Sequence, residues 1–166
     1  MRGYFGIGVQ GISKAYNLGA VLRTAHAFGA SFAFTVNAHH TAREINRTDT
    51  SRSDNHLPFY EWNSEADLIL PKNCQLVGIE LTPDSVNLPS FRHPTNCAYI
   101  LGPEKGSLSD SLQKRCDHIV KIPTKFCINV SLACALTLYD RTLSQGGHPP
   151  RPVRPGGPEM DGWPDS

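Results

Sequence analysis

Short apolar runs and amphipathic stretches take turns along the first 143 residues, a pattern that closes a chain into a sheet with helices packed on it. Tyr4 to Val9 reads as a strand. Asn17 to Phe28 (NLGAVLRTAHAF) then sets Leu18, Val21, Leu22, Ala25 and Phe28 on one helical face, with Gly29 at the C-cap. Ser31 to Val36 reads as a strand, a short helix is predicted near Ser64 to Leu70, and Gln75 to Leu81 is a buried strand. Cys97 to Leu101 is a further strand leading into the turn Gly102 to Gly106. A helix over Ser109 to Cys116, a strand at His118 to Ile122 and a last amphipathic helix at Val130 to Leu143 complete the series. The alternation predicts an α/β fold around a largely parallel sheet.

At 166 residues the chain has the size of one domain. Beyond Leu143 proline and glycine dominate, so residues 1–143 are expected to be the folded unit and 144–166 a flexible tail. Arg141, Arg151 and Arg154, at and after that boundary, read as charges on a solvated extension, with contact to an anion the alternative. No apolar run approaches the roughly 18 residues of a membrane span and no leader pattern opens the chain, so a soluble, unsecreted protein without membrane contact is expected. Five cysteines, an odd number with no CxxC pair, suggest neither a disulfide framework nor a metal site and fit reduced thiols in a cytoplasm. A formal charge of +1 leaves any claim about nucleic acid to local residues.

Gly6-Ile7-Gly8-Val9-Gln10-Gly11 spells GxGxxG, the letters of a dinucleotide turn. The helix that should follow does not begin until about Asn17, and no acidic residue for a ribose stands in Ser31 to Ala38, so the glycines read as strand and loop punctuation. Asn17-Leu18-Gly19-Ala20-Val21-Leu22-Arg23 presents an amide and a guanidinium at the start of one helix, with Asn17 a good N-cap. Leu101-Gly102-Pro103-Glu104-Lys105-Gly106 ends a strand in a turn that carries a carboxylate, where open sheets bind ligands. Cys127-Ile128-Asn129-Val130-Ser131 sets polar groups between a buried strand and an apolar helix.

Together these three segments, in this order and spacing, resemble the SpoU/TrmH-type family of SPOUT RNA 2′-O-ribose methyltransferases: an N…G…R helix, a strand ending in LGPE…G, and an N-V-S segment opening the last helix. The likeness covers nearly all of Tyr4 to Leu143. It implies a parallel-sheet fold with a C-terminal trefoil knot, S-adenosyl-L-methionine as cofactor, tRNA or rRNA as partner and a homodimer with composite sites. It implies a minimal member that carries the catalytic domain alone. At Cys127 relatives usually have serine, so a thiol, a weaker donor, replaces a hydroxyl.

On that resemblance the catalytic residues are Arg23, Asn17, Glu104 and Asn129. A guanidinium is always protonated, so Arg23 is expected to bind phosphate and the developing 2′-alkoxide rather than act as a free base. Asn17 would orient substrate or Arg23, Glu104 would anchor the polar network, and Asn129 would fix the loop beside the methyl donor. Leu81, Gly102, Ile122, Cys127 and Ile128 are assigned to the cofactor, and Lys14, Arg43, Arg47, Arg52 and Arg92 to RNA phosphates, with a solvated salt-bridged loop the alternative for Arg43 to Arg52, where Glu44 and Asp49 interleave. The rival readings are an RNA-binding pseudoenzyme of the same fold and a Rossmann-type nucleotide enzyme resting on the glycines near residue 8.

Overall fold

Strands that read as continuous apolar runs need cover on both faces, and this sheet has it. The computed structural model describes residues 3–39 and 56–157. Its strands are β1 (Tyr4–Gln10), β2 (Phe32–Val36), β3 (Phe59–Trp62), β4 (Gln75–Ile79), β5 (Val86–Asn87), β6 (Asn96–Leu101) and β7 (His118–Lys121). They form one sheet in the order β3-β2-β1-β6-β4-β7-β5, with every pair parallel. The helices are α1 (Ala15–Ala27), α2 (Asp110–Arg115) and α3 (Val130–Ser144).

Side chains alternate along each strand, so two cores form. Ile7, Val9, Val77, Tyr99 and Leu101 share one with Leu18, Leu22 and Ala25 of α1 and with Cys134 and Leu138 of α3. Phe34, Val36, Leu76, Ala98 and Ile100 share the other with Leu108, Leu112 and Leu68. The glycines of the GxGxxG run have their reason in this second layer. Gly6 and Gly8 lie under the rings of Phe32 and Phe34, which stack with centroids 6.0 Å apart, and a Cβ at either glycine would overlap a ring. They let aromatic rings lie on β1; Gly6 to Gln10 are strand, and Gly11, at φ 63°, is the bend that follows it.

The structure differs from the sequence reading at four places. The helix expected near Ser64 to Leu70 is a single 3-10 turn, Glu65–Asp67, because Pro71 disfavours helix at the residue before it. β3 and β5 were not foreseen; both are edge strands with one ladder partner each, only four and two residues long and without a buried side chain. α1 begins at Ala15, so Asn17 sits inside the first turn and does not cap it. Arg141 belongs to α3 and is 3% exposed, so it is no surface cation.

At the amino ends of the strands Arg141 donates to the Pro94 carbonyl (2.8 Å), the Thr95 carbonyl (2.9 Å) and the Tyr99 hydroxyl (3.1 Å), and its guanidinium lies 5.1 Å from the centroid of Phe5. Because Tyr99 accepts from Arg141, its own proton is free to reach His93 Nδ1 at 2.6 Å, which leaves Nε2–H to donate to Asp140 at 2.7 Å. After α3 the chain turns back: Gly147 N–H donates to the Thr142 carbonyl and the His148 ring lies 5.4 Å from that of Tyr139. The remainder of the proposed tail, 158–166, lies outside the described residues.

Candidate functional site

Beyond the carboxyl ends of the adjacent strands β6, β4 and β7 the sheet opens into a cleft, the place where open α/β sheets take ligands. Its empty space, open mouth included, is about 610 Å³. Ile79, Leu101, Ile122, Ile128 and Val130 give it apolar walls, and Gly102, Pro103 and Gly106 bring backbone to its edge. At Gly102 the approach is close: a Cβ there would stand 3.2 Å from Leu108 N and 3.3 Å from Glu80 Oε2. A flat, largely apolar ligand with a few polar edges suits such a cradle.

Beside the cleft the three sequence segments are joined by one chain of hydrogen bonds. The Glu104 carboxylate accepts from the backbone N–H groups of Ser13 (3.1 Å) and Lys14 (3.0 Å), at the amino end of α1 where an anion is favoured. It also accepts from Asn17 Nδ2 at 3.2 Å. A carboxylate only accepts, so it fixes the Asn17 amide with Oδ1 pointing away, and that oxygen accepts from Asn129 Nδ2 at 3.3 Å. Asn129 in turn is left with Oδ1 toward Ser131, accepting from its N–H at 2.8 Å and its hydroxyl at 2.6 Å, and so caps α3. Burial pushes the Glu104 carboxyl up, but the hydrogen bonds from its own N–H, Ser13, Asn17 and Lys14 outweigh it and hold it below the ordinary value. One negative charge thus sets the direction of every amide in the relay.

A second network holds the loop that follows Gly102. Ser109 N–H donates to Gln10 Oε1 (2.9 Å), Gln10 Nε2 donates to Glu65 Oε1 (2.7 Å), and Ser109 and Ser111 both donate to the Glu65 carboxylate. Those hydroxyls lower the Glu65 carboxyl, and Ser109 also caps α2 by accepting from Leu112 N–H. The loop is therefore tied at both ends, by Glu104 to α1 and by Ser109 to β1.

All five residues assigned to the cofactor, Leu81, Gly102, Ile122, Cys127 and Ile128, line the cleft. Asn17, Glu104 and Asn129 are brought together; Arg23 is exposed on α1, six residues beyond Asn17 and about 9 Å further along its axis. Lys14 is exposed at the start of α1, its ammonium 5.7 Å from the centroid of Tyr16. Arg92 is elsewhere: it borders a separate hollow at the amino ends of the strands, with Phe28, Thr95 and Thr142. Arg43, Arg47 and Arg52 lie outside the described residues. Sequence reasoning missed Ser13, Gln10, Glu65 and Glu80. Only Glu80 carried a signal, as a carboxylate directly after the apolar run of β4. Among the described residues there is no cluster of three or more His, Cys, Asp or Glu side chains that would hold a metal, and no helix long and apolar enough to cross a membrane.

The fold and the cleft define an α/β protein with its site at the carboxyl ends of a parallel sheet. Comparison with known proteins makes this specific: the chain belongs to the SpoU rRNA Methylase family, whose model matches residues 5–139. Over 143 residues it is 29% identical to the 23S rRNA (guanosine-2′-O-)-methyltransferase RlmB of Blochmanniella floridana, covering 80% of this chain and 54% of that one. It is 27% identical over 143 residues to the tRNA (guanosine(18)-2′-O)-methyltransferase TARBP1 of Mus musculus, covering 81% of this chain and 9% of that one. The chain thus spans about half of the first relative and a small part of the second. Among solved structures, an RNA 2′-O ribose methyltransferase superposes with a TM-score of 0.74 at 25% identity, over 87% of this chain and 58% of that one. The A. aeolicus TrmH/SpoU tRNA modifying enzyme superposes with a TM-score of 0.76 at 20% identity, over 86% of this chain and 76% of that one.

Proposed function

We propose that the chain transfers a methyl group from S-adenosyl-L-methionine to a ribose 2′-hydroxyl of RNA, either tRNA or rRNA. The observation that carries this reading is the relay Glu104–Asn17–Asn129–Ser131, which joins the three family segments beside a cleft lined by every residue assigned to the cofactor. The cleft fits the group: its apolar walls suit an adenine ring, and the bare Gly102 lets the loop at Leu108 and the Glu80 carboxylate pack closely along its edge. When bound, the cofactor supplies an electrophilic methyl on a sulfonium.

In this reading the chain's residues orient and stabilise. Arg23, a permanent cation on α1, binds the phosphate beside the target ribose and steadies the alkoxide as the hydroxyl proton leaves to water. Asn17 and Asn129 hold the amino ends of α1 and α3 in register, so substrate-bearing and cofactor-bearing elements meet in one geometry. Lys14, at the exposed start of α1, adds a phosphate contact.

The same reading takes residues 1–143 as the catalytic unit, in keeping with a family match that ends at residue 139, and 144–166 as an extension. It includes a C-terminal trefoil knot, a cytoplasmic site of action and a homodimer. Supporting the dimer, Leu132, Leu136, Tyr139 and Leu143 form an exposed apolar stripe along α3, with Phe126 and Tyr16 also exposed. A second copy would cover it. The test is incubation with labelled S-adenosylmethionine and RNA from a strain lacking the gene, followed by digestion to nucleosides. Label in a 2′-O-methyl nucleoside is the expected result; label confined to bases, or none with cofactor bound, overturns the reading. Sedimentation at working concentration should give twice the chain mass, and Leu136→Glu should return it to one.

A further inference from the structure

Two charged side chains line the cleft, and both are carboxylates. Glu104 has its charge spread over the backbone N–H groups of Ser13 and Lys14 and the amide of Asn17. Glu80 is different. It directly follows β4 and is buried, and each of its oxygens accepts from one backbone N–H, Oε1 from Leu81 at 3.1 Å and Oε2 from Leu108 at 2.8 Å. No lysine, arginine or histidine lines this cleft among the described residues. A negative charge in a half-enclosed, partly apolar space, with dipoles rather than a cation against it, raises the affinity of a cationic occupant and lowers that of an anionic one.

Resting on the methyl-transfer reading, this has a consequence for turnover. The methyl donor carries a sulfonium, an ammonium and a carboxylate, for a net charge of about +1, whereas its demethylated product keeps only the last two and is neutral overall. Methyl leaves sulfur with the positive charge, so the occupant's charge falls by one in the reaction itself. We infer that Glu80 is a specificity-determining residue that distinguishes the charged methyl donor from its neutral thioether product. Its hydrogen bond to Leu108 N–H holds the carboxylate beside Gly102, at the inner edge of the cleft. A polyphosphate-bearing dinucleotide is disfavoured by the same charge, which also speaks against the nucleotide-enzyme alternative.

The test is calorimetric binding of three ligands to the full chain: S-adenosylmethionine, S-adenosylhomocysteine and sinefungin, whose amine restores a positive charge where the product has none. Glu80→Gln removes the charge and keeps an acceptor for Leu108 N–H. It should weaken S-adenosylmethionine and sinefungin about tenfold while changing S-adenosylhomocysteine less than about threefold. Glu80→Asp keeps the charge but shortens the arm; its ratio of donor to product affinity should stay within about twofold of the natural chain's, even if all affinities fall. Damage to the loop alone weakens all three ligands together, so an unchanged ratio in Glu80→Gln overturns the inference. If the natural chain binds none of the three, the cofactor reading fails and the inference with it; if it binds them and only the ratio is unmoved, the cofactor reading stands and the inference alone falls.

Discussion

The two ends of the sheet carry polar networks of similar make and opposite character. At the amino ends Arg141, Tyr99, His93 and Asp140 form a relay with Arg141 and His93 buried, anchored on backbone carbonyls. At the carboxyl ends Glu104, Asn17, Asn129 and Ser131 form a relay beside an open cleft, with Ser131, Arg23 and Lys14 reachable from solvent. The first clamps α3 to the strand end, with the donors of Arg141 turned to the Pro94 and Thr95 carbonyls and the Tyr99 hydroxyl. The second is held by one carboxylate and borders an open cleft. Position at a strand end, not polarity, separates a structural network from a candidate site.

The comparison is broken most easily at Arg23. Arg23→Ala should lower methyl transfer by about 100-fold or more while leaving S-adenosylmethionine affinity within about twofold. Single-turnover kinetics beside calorimetry would show it, and equal losses in both would place Arg23 with the cofactor instead. At the other end Arg141→Met strips the donor from a buried network and should cost about 3 kcal/mol in urea unfolding, since the phenol and carbonyls it serves stay behind in the core. A loss of activity without a loss of stability would show that the amino-end network reaches the site.

Acid separates the two ends in a way that can be read by pH-dependent unfolding. The Glu104 carboxyl lies below its ordinary value in the folded chain, so its stabilising effect is present above that ordinary value and is lost as pH falls through the folded one. Glu104→Gln should remove this acid limb, and a limb of unchanged size would deny Glu104 its place at the amino end of α1. For His93, burial outweighs the Asp140 hydrogen bond and pushes the imidazole below its ordinary value. The unfolded chain then takes up a proton that the folded chain resists, so stability falls as pH drops below about 6.5 and is recovered above it. His93→Gln should flatten that earlier, smaller slope, and a slope that persists would have to come from another group. The smallest effect is expected from Arg92→Ala, which lies at the amino ends and should leave activity within about twofold, as surface charges usually do. A tenfold loss would bring RNA to that end of the molecule.

Much of this was legible in the chain. The inner strands of the sheet, β1, β2, β4, β6 and β7, and the three helices follow from apolar runs and their period, because burial on two faces demands them, whereas the short edge strands β3 and β5 do not. The three family segments were recognisable by their letters, and each fell at the start of a helix or the end of a strand, where backbone groups are unsatisfied. What could not be read was which group each residue would meet. Asn17 has the sequence of a helix cap, yet its partner is a carboxylate 87 residues away, and Asn129 reaches it across 112. Gly6 and Gly8 have the letters of a nucleotide turn, yet they make room for Phe32 and Phe34 on the neighbouring strand. Arg141 has the look of a surface cation and is the anchor of a buried clamp. Local chemistry is written in the sequence because propensity and period act over a few residues. Partners across the sheet were decided only when strands far apart in the chain came side by side, since a donor or acceptor has no meaning until the fold supplies what it faces.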